Sequence, residues 1–226
     1  MADDRSLIGY EVADRIARIT LDRPEKLNAL NNPMVIALRS ALERFDADAD
    51  ADVGVLHGRG RAFSTGADTR ERLTVARDES GAEIPQPDES GAILHAPHAK
   101  PLIAAVHGYA IGHAFGTAMS CDLIVAERGT QFRVPEAAMG FSSPGFWTRI
   151  AGSAGSAFAT DVVLTARMFT AEEAFAAGVV NRLVDPARAL PEALAAAAQI
   201  AAFPQHSLRD IVRLRRASFA RLSGAD

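Results

Sequence analysis

Glu136, preceded by Pro135, and two glycine turns, Gly66-Ala67-Asp68 and Gly112-His113, are the positions where this sequence can do chemistry. A carboxylate moves protons. Each glycine turn stands just before a helix start, where the first backbone N–H groups face outward. Two such donors converging on one oxygen form an oxyanion hole, each worth about 2.7–4 kcal/mol once charge develops there. Three side chains at these turns have plainer readings as well. Glu136 suits a helix N-terminus through the dipole, and Asp68 suits a cap better than a base. An imidazole at position 113 can act as acid or base near neutral pH, or simply pack or face solvent.

The elements that position them follow from pattern. Leu7–Val12 and Arg15–Leu21 read as two strands around a turn at Ala13-Asp14. Pro33 opens a helix to about Phe45, with Met34, Leu38, Ala41, Leu42 and Phe45 at helical spacing. Val53–His57, Leu102–His107 and Leu123–Ala126 are short apolar runs, each read as a buried strand. Gly108–Ser120 is a turn into a helix, and Asp161–Leu164 belongs to another. Thr170-Ala171-Glu172-Glu173 is a capping box, with Gly178 ending its helix. Val179–Val184 returns as a strand, and two alanine- and arginine-rich helices finish the chain. Strands alternating with helices indicate an α/β fold. Asp78–Pro97, with Glu-Ser-Gly twice and few large apolar residues, reads as a loop of the kind that covers a site or stays mobile.

Composition narrows the function classes. The 226 residues suit one domain, or a core of residues 1–185 with a helical region over 186–226. Net charge is −4, which argues against general nucleic-acid binding. The single cysteine, Cys121, lies in an apolar run; it excludes an intrachain disulfide and reads as a buried structural thiol. No metal site is expected. No window approaches the roughly 20 apolar residues of a membrane helix. The N-terminus is acidic and unlike a signal peptide, so a cytoplasmic location is expected.

From Arg23-Pro24-Glu25-Lys26-Leu27-Asn28-Ala29-Leu30 onward the sequence resembles the enoyl-CoA hydratase/isomerase (crotonase) superfamily. The resemblance continues at Gly60–Asp68, Lys100–Gly112, Cys121-Asp122-Leu123, Pro135-Glu136 with Ser143-Pro144-Gly145, and Thr170–Asn181. The blocks stand in family order over about residues 7 to 200, which no single block would make persuasive. It implies a crotonase (ClpP-like) fold of repeated ββα units around a sheet core. It also implies an acyl-CoA thioester substrate, with coenzyme A entering only as part of that substrate and no separate cofactor. The oxyanion donors fall on Ala67 and His113, and the acid–base group on Glu136. Substrate-binding positions fall on Lys26, Ala29, Gly66, Asp68, Gly112, Gly145, Phe146 and Trp147, and Lys26 and Arg70 match positions near the CoA phosphates. A homotrimer or hexamer is the family's assembly. Family chains run on for a few helical turns past Asp226, so a shortened C-terminal region is expected to weaken trimer contacts and CoA binding.

Four departures bear on the reaction. Where hydratases carry a first glutamate the chain has Gly116, and Glu136 alone is kept. Hydration needs one group to activate water and another to manage the C2 proton, each worth about 10²–10⁴. His113 replaces a glycine, in a neighbourhood where some carbon–carbon-cleaving relatives carry histidine. Phe146-Trp147 replaces small residues and fills space for a substrate tail or water, although Trp147 also reads as an ordinary core residue. Double-bond isomerisation by Glu136 alone is therefore the leading expectation. Weak hydration, diketone cleavage with His113, or acyl-CoA binding without chemistry are the alternatives. The arginines at 209, 213, 215 and 216 read as a solvated helix face, with phosphate binding as the second reading.

Overall fold

A computed structural model describes residues 6–69, 98–141 and 144–223, with side chains up to Ser218. Strands β1 (Ile8–Ala13) and β2 (Ile16–Leu21) form an antiparallel hairpin. Its turn is Asp14-Arg15 rather than Ala13-Asp14: Ala13 pairs with Ile16, and both turn residues have positive φ, 49° and 65°. That is the twist a two-residue hairpin loop demands.

Helix α1 (Asn32–Ala47) follows, with the Asn31 side chain accepting from Met34 N at its start. Next come β3 (Val53–Gly58), β4 (Leu102–Val106), β5 (Tyr109–Ile111), α2 (His113–Ser120), β6 (Leu123–Glu127) and β7 (Gln131–Arg133). The chain continues through α3 (Pro144–Ala154), α4 (Ser156–Leu164), β8 (Phe169–Thr170) and α5 (Ala171–Ala177). It ends with β9 (Arg182–Val184), α6 (Ala189–Ala201) and α7 (Gln205–Ser223). The last strand is shorter than Val179–Val184: Val179 and Val180 donate to Ala174 O at the end of α5 before pairing begins.

The main sheet runs β1-β2-β3-β4-β6-β9, parallel from β2 onward. A small sheet, β5-β7-β8, stands apart from it. Each of β4 and β6 belongs to the large sheet and is followed by a short strand of the small one. The stretch after β3 does likewise, Ser64 bridging Ala110. This alternation is the expected repeating unit. The expected α/β architecture, a largely parallel sheet with helices packed on it, is present.

The apolar runs are buried on both faces, which is why they read as continuous rather than alternating. Leu56, Leu102, Ala104, Val106, Ile124 and Ala126 face a core holding Phe115, Phe132 and Phe169, whose rings lie 5.2–5.6 Å apart. Val53, Val55, Ile103, Ala105 and Val125 face the other way, against Ala189, Ala193, Ala196 and Ala197 of α6. Small alanines let that helix lie close on the sheet. Among the described residues no helix is long and apolar enough to cross a membrane.

The capping box of α5 forms as expected. Glu173 N donates to Thr170 Oγ1 at 3.2 Å and Thr170 N to Glu173 Oε2 at 2.8 Å. Thr170→Ala should cost about 1 kcal/mol, read as a fall of about 2–4 °C in the thermal midpoint. An unchanged midpoint would mean that the box contributes nothing to the folded state.

Candidate active site

The loop after β2 makes one wall of the site. Pro24–Lys26 forms a single 3₁₀ turn, after which Leu27 and Asn28 are both left-handed, with φ of 50° and 55°. Asparagine tolerates that conformation, and here it is fully buried as a hub. Its Oδ1 accepts from Arg23 N at 2.8 Å, and its Nδ2 reaches Arg59 O, Ala62 O and Phe63 O at 2.8–3.1 Å. Ser64 Oγ donates to Asn28 O at 2.7 Å and accepts from Gly66 N at 3.1 Å. Asn28 and Ser64 thus lock this loop onto the segment leading to Gly66. Sequence reasoning quoted both within motifs and assigned neither a role.

The lock sets the direction of the Ala67 amide. Leu30 N donates to Gly66 O at 2.7 Å, and Asp68 N donates to Leu30 O at 2.9 Å. In this bridge Gly66 and Asp68 turn their polar groups toward Leu30, so the Ala67 amide between them points the other way. Gly66 has φ of +83°, and a side chain there would overlap Ile111 O; the same Cβ position lies 3.6 Å from His113 N. The two segments expected to carry the donors are therefore adjacent. His113 is the first residue of α2, where helix amides point out of the N-terminal end. Its side chain is buried rather than solvent-facing.

The third group arrives through strand register. Ile111 pairs with Arg133, and Gly112 N donates to Arg133 O at 2.8 Å. Val134 and Pro135 then carry the chain to Glu136, which starts a 3₁₀ turn over Ala137–Met139. Its Oε1 lies 2.7 Å from where a Cβ on Gly112 would sit, and Gly112 has φ of +51°. Oε2 is buried and has no hydrogen-bond partner among the described residues. Burial pushes the carboxyl pKa above the usual 4.5, opposed in part by a backbone hydrogen bond at Glu136 itself. A raised carboxylate with an unused acceptor is suited to taking a proton from a bound molecule.

A cleft of about 540 Å³ lies on the Ala67 side of this arrangement, lined by Arg23, Lys26, Ala29, Thr65, Ala67, Asp68 and Thr69; His113 and Glu136 are not among its lining residues. Lys26, Ala29, Ala67 and Asp68, each expected from sequence, therefore share one cavity of ligand size. Lys26 is exposed on its rim. Asp68 accepts from Arg23 Nη1 at 2.7 Å, so its carboxylate is already committed to a cation. Gly145 and Phe146 lie in the first turn of α3, and Phe146 is buried in the main core. Trp147 is not a core residue. It is 41% exposed, with its indole N–H donating to Thr160 Oγ1 at 3.0 Å. Arg70 and the 78–97 loop lie outside the described residues.

Two further expectations meet the structure here. Cys121 is buried and its thiol pKa is pushed up to about 12 by that burial, which makes it inert. The α7 arginines are not a uniformly solvated face. Arg215 donates to Cys121 O at 2.8 Å and Asp122 Oδ1 at 3.2 Å, and Arg216 contacts His98. Arg215 thus neutralises the carbonyl end of the helix whose other end carries His113.

A family model described as enoyl-CoA hydratase/isomerase matches residues 11–221. A probable enoyl-CoA hydratase of Rhizobium meliloti (strain 1021) is 40% identical over 195 residues, covering 85% of this chain and 74% of that one. The 2,3-dehydroadipyl-CoA hydratase of Escherichia coli (strain K12) is 35% identical over 188 residues, covering 83% and 72%. Among solved structures, an enoyl-CoA hydratase from Mycobacterium tuberculosis H37Rv superposes with a TM-score of 0.83 at 32% identity. That match covers 96% of this chain and 83% of the other.

Proposed function

The chain belongs to the enoyl-CoA hydratase/isomerase family of acyl-CoA enzymes, and from that premise we propose that it moves a double bond along an enoyl thioester with Glu136 as the single base. The observation that carries this reading is the Glu136 carboxylate, with pKa raised by burial, an oxygen without a partner among the described residues, and a place beside Gly112. In a 3-enoyl thioester the carboxylate takes a proton from C2. The electron pair moves into the carbonyl and makes a dienolate, whose oxygen lies between the Ala67 and His113 amides. The protonated Glu136 then returns the proton at C4, and the double bond comes to rest between C2 and C3. One carboxyl group suffices because it finishes in the state in which it began.

Hydration is the second reading, favoured by the names of the relatives, both hydratases. It asks for a second acid–base group, and the residue two positions beyond Ala114, where a glutamate would stand, is the buried Gly116. The deciding experiment incubates a 3-enoyl-CoA with the protein in D2O, with Glu136→Gln in parallel. Conversion to the 2-enoyl form, lost in the variant, is the expected result, with deuterium entering at C4 to the extent that the protonated Glu136 exchanges with solvent before returning its proton. Absence of conversion across several chain lengths would sink the isomerase reading, and water addition to a 2-enoyl-CoA without conversion of the 3-enoyl form would favour hydration.

A further inference from the structure

We propose that Arg23 is a positioning residue for the carbonyl-binding site, acting by clamping its two walls at a fixed spacing; this rests on the reading of Ala67 and His113 as carbonyl donors. One nitrogen of the guanidinium, Nη1, donates both to Ala29 O at 3.0 Å and to Asp68 Oδ2 at 2.7 Å. Ala29 belongs to the loop after β2, and Asp68 follows the Ala67 amide directly. Both side chains of the ion pair are only 13% exposed, although Arg23 lines the cleft. A buried, charge-assisted contact of this kind is short and directional. It is also specific in placement. The Leu30 bridge fixes the Gly66–Asp68 segment from the backbone side, and Arg23 fixes the same segment from the side-chain side.

The consequence concerns charge development rather than affinity. An amide that must meet an oxyanion gives its full effect only when held in place before the charge appears. Misplacement by about 1 Å can cost roughly 10²-fold in rate. Removing the clamp should therefore lower kcat by about 10–100-fold while KM changes by less than about 3-fold. A residue that served only to stabilise the fold would move the thermal midpoint and leave the polarisation of a bound carbonyl alone.

The test uses a 4-aminocinnamoyl thioester of coenzyme A, whose donor–acceptor chromophore absorbs at longer wavelength when its carbonyl is polarised. Spectra at saturating probe are compared for the full-length wild type, Arg23→Met and the double variant Arg23→Met/Asp68→Asn. The double variant removes both charges of the Arg23–Asp68 pair together, so it decides the matter if the single variant fails to fold. The expected result is a red shift in the wild type, most of it lost in both variants while the probe still binds. A folded double variant that keeps the whole wild-type shift overturns the proposal. A wild type that binds the probe with no shift overturns the carbonyl-site reading itself, and the proposal with it.

Discussion

Glu136→Gln is expected to lower turnover by about 10²–10⁴-fold while the protein stays folded and continues to bind acyl-CoA. The amide keeps the shape of the carboxyl group and cannot take a proton. The wild-type pH profile should carry the same signature. Because burial raises the Glu136 pKa above 4.5, the active ionised form is reached at higher pH than for an ordinary carboxylate, and activity should rise through that displaced value. The linked effect on stability has the opposite sense. A native pKa above the unfolded one means that the folded state binds the extra proton, so stability is fully present below the unfolded value and is lost as pH rises through the native one. Glu136→Gln should therefore raise the thermal midpoint at neutral pH, and the gain should vanish below about pH 4.5, the unperturbed value. Midpoints that differ equally at both pH values would contradict this account of the carboxyl group.

Gly66→Ala should be the most damaging change of a single methyl group in the site. Its φ of +83° strains any L side chain, and the added Cβ would overlap Ile111 O, a backbone atom in a paired strand that has little room to yield. Strain of this kind costs about 1–3 kcal/mol. Displacing the Ala67 amide by about 1 Å would remove roughly 10² in rate besides. Gly112→Ala makes an informative contrast. Its φ of +51° also strains an L side chain, but there the Cβ meets Glu136 Oε1 at 2.7 Å, the far end of a side chain, so the carboxylate can swing aside. Kinetics and thermal midpoints should show both variants losing turnover and stability, with the larger loss of stability in Gly66→Ala, where overlap with a backbone atom adds to the strain. Equal loss of stability in the two would mean that the Glu136 carboxylate is held more firmly than its unpartnered Oε2 implies.

The parts whose physics is local were readable from the chain. Apolar runs such as Leu102–Val106 could only be strands covered on both faces, and the core bears that out. Thr170 and Glu173 lie three residues apart and cap one another without outside help. The two glycine turns were legible because positive φ is written in the residue type. Where local rules were ambiguous the reading slipped, as at the Asp14-Arg15 turn, where no glycine marks the left-handed pair.

Tertiary structure decided everything that depends on distant segments meeting. Nothing near Gly112 in sequence announces Glu136; the β5–β7 register, set by Ile111 against Arg133, brings them together. Trp147 read either as a ring filling substrate space or as a core residue, yet helix α4 offers Thr160 to the indole N–H at an exposed face. The double contact of Arg23 joins residues 6 and 45 positions away, and no spacing rule predicts it. Backbone preference is a property of a residue and its neighbours, so it can be read from the chain. Burial, a displaced pKa and a clamp are properties of a place, and a place exists only once the chain has folded around it.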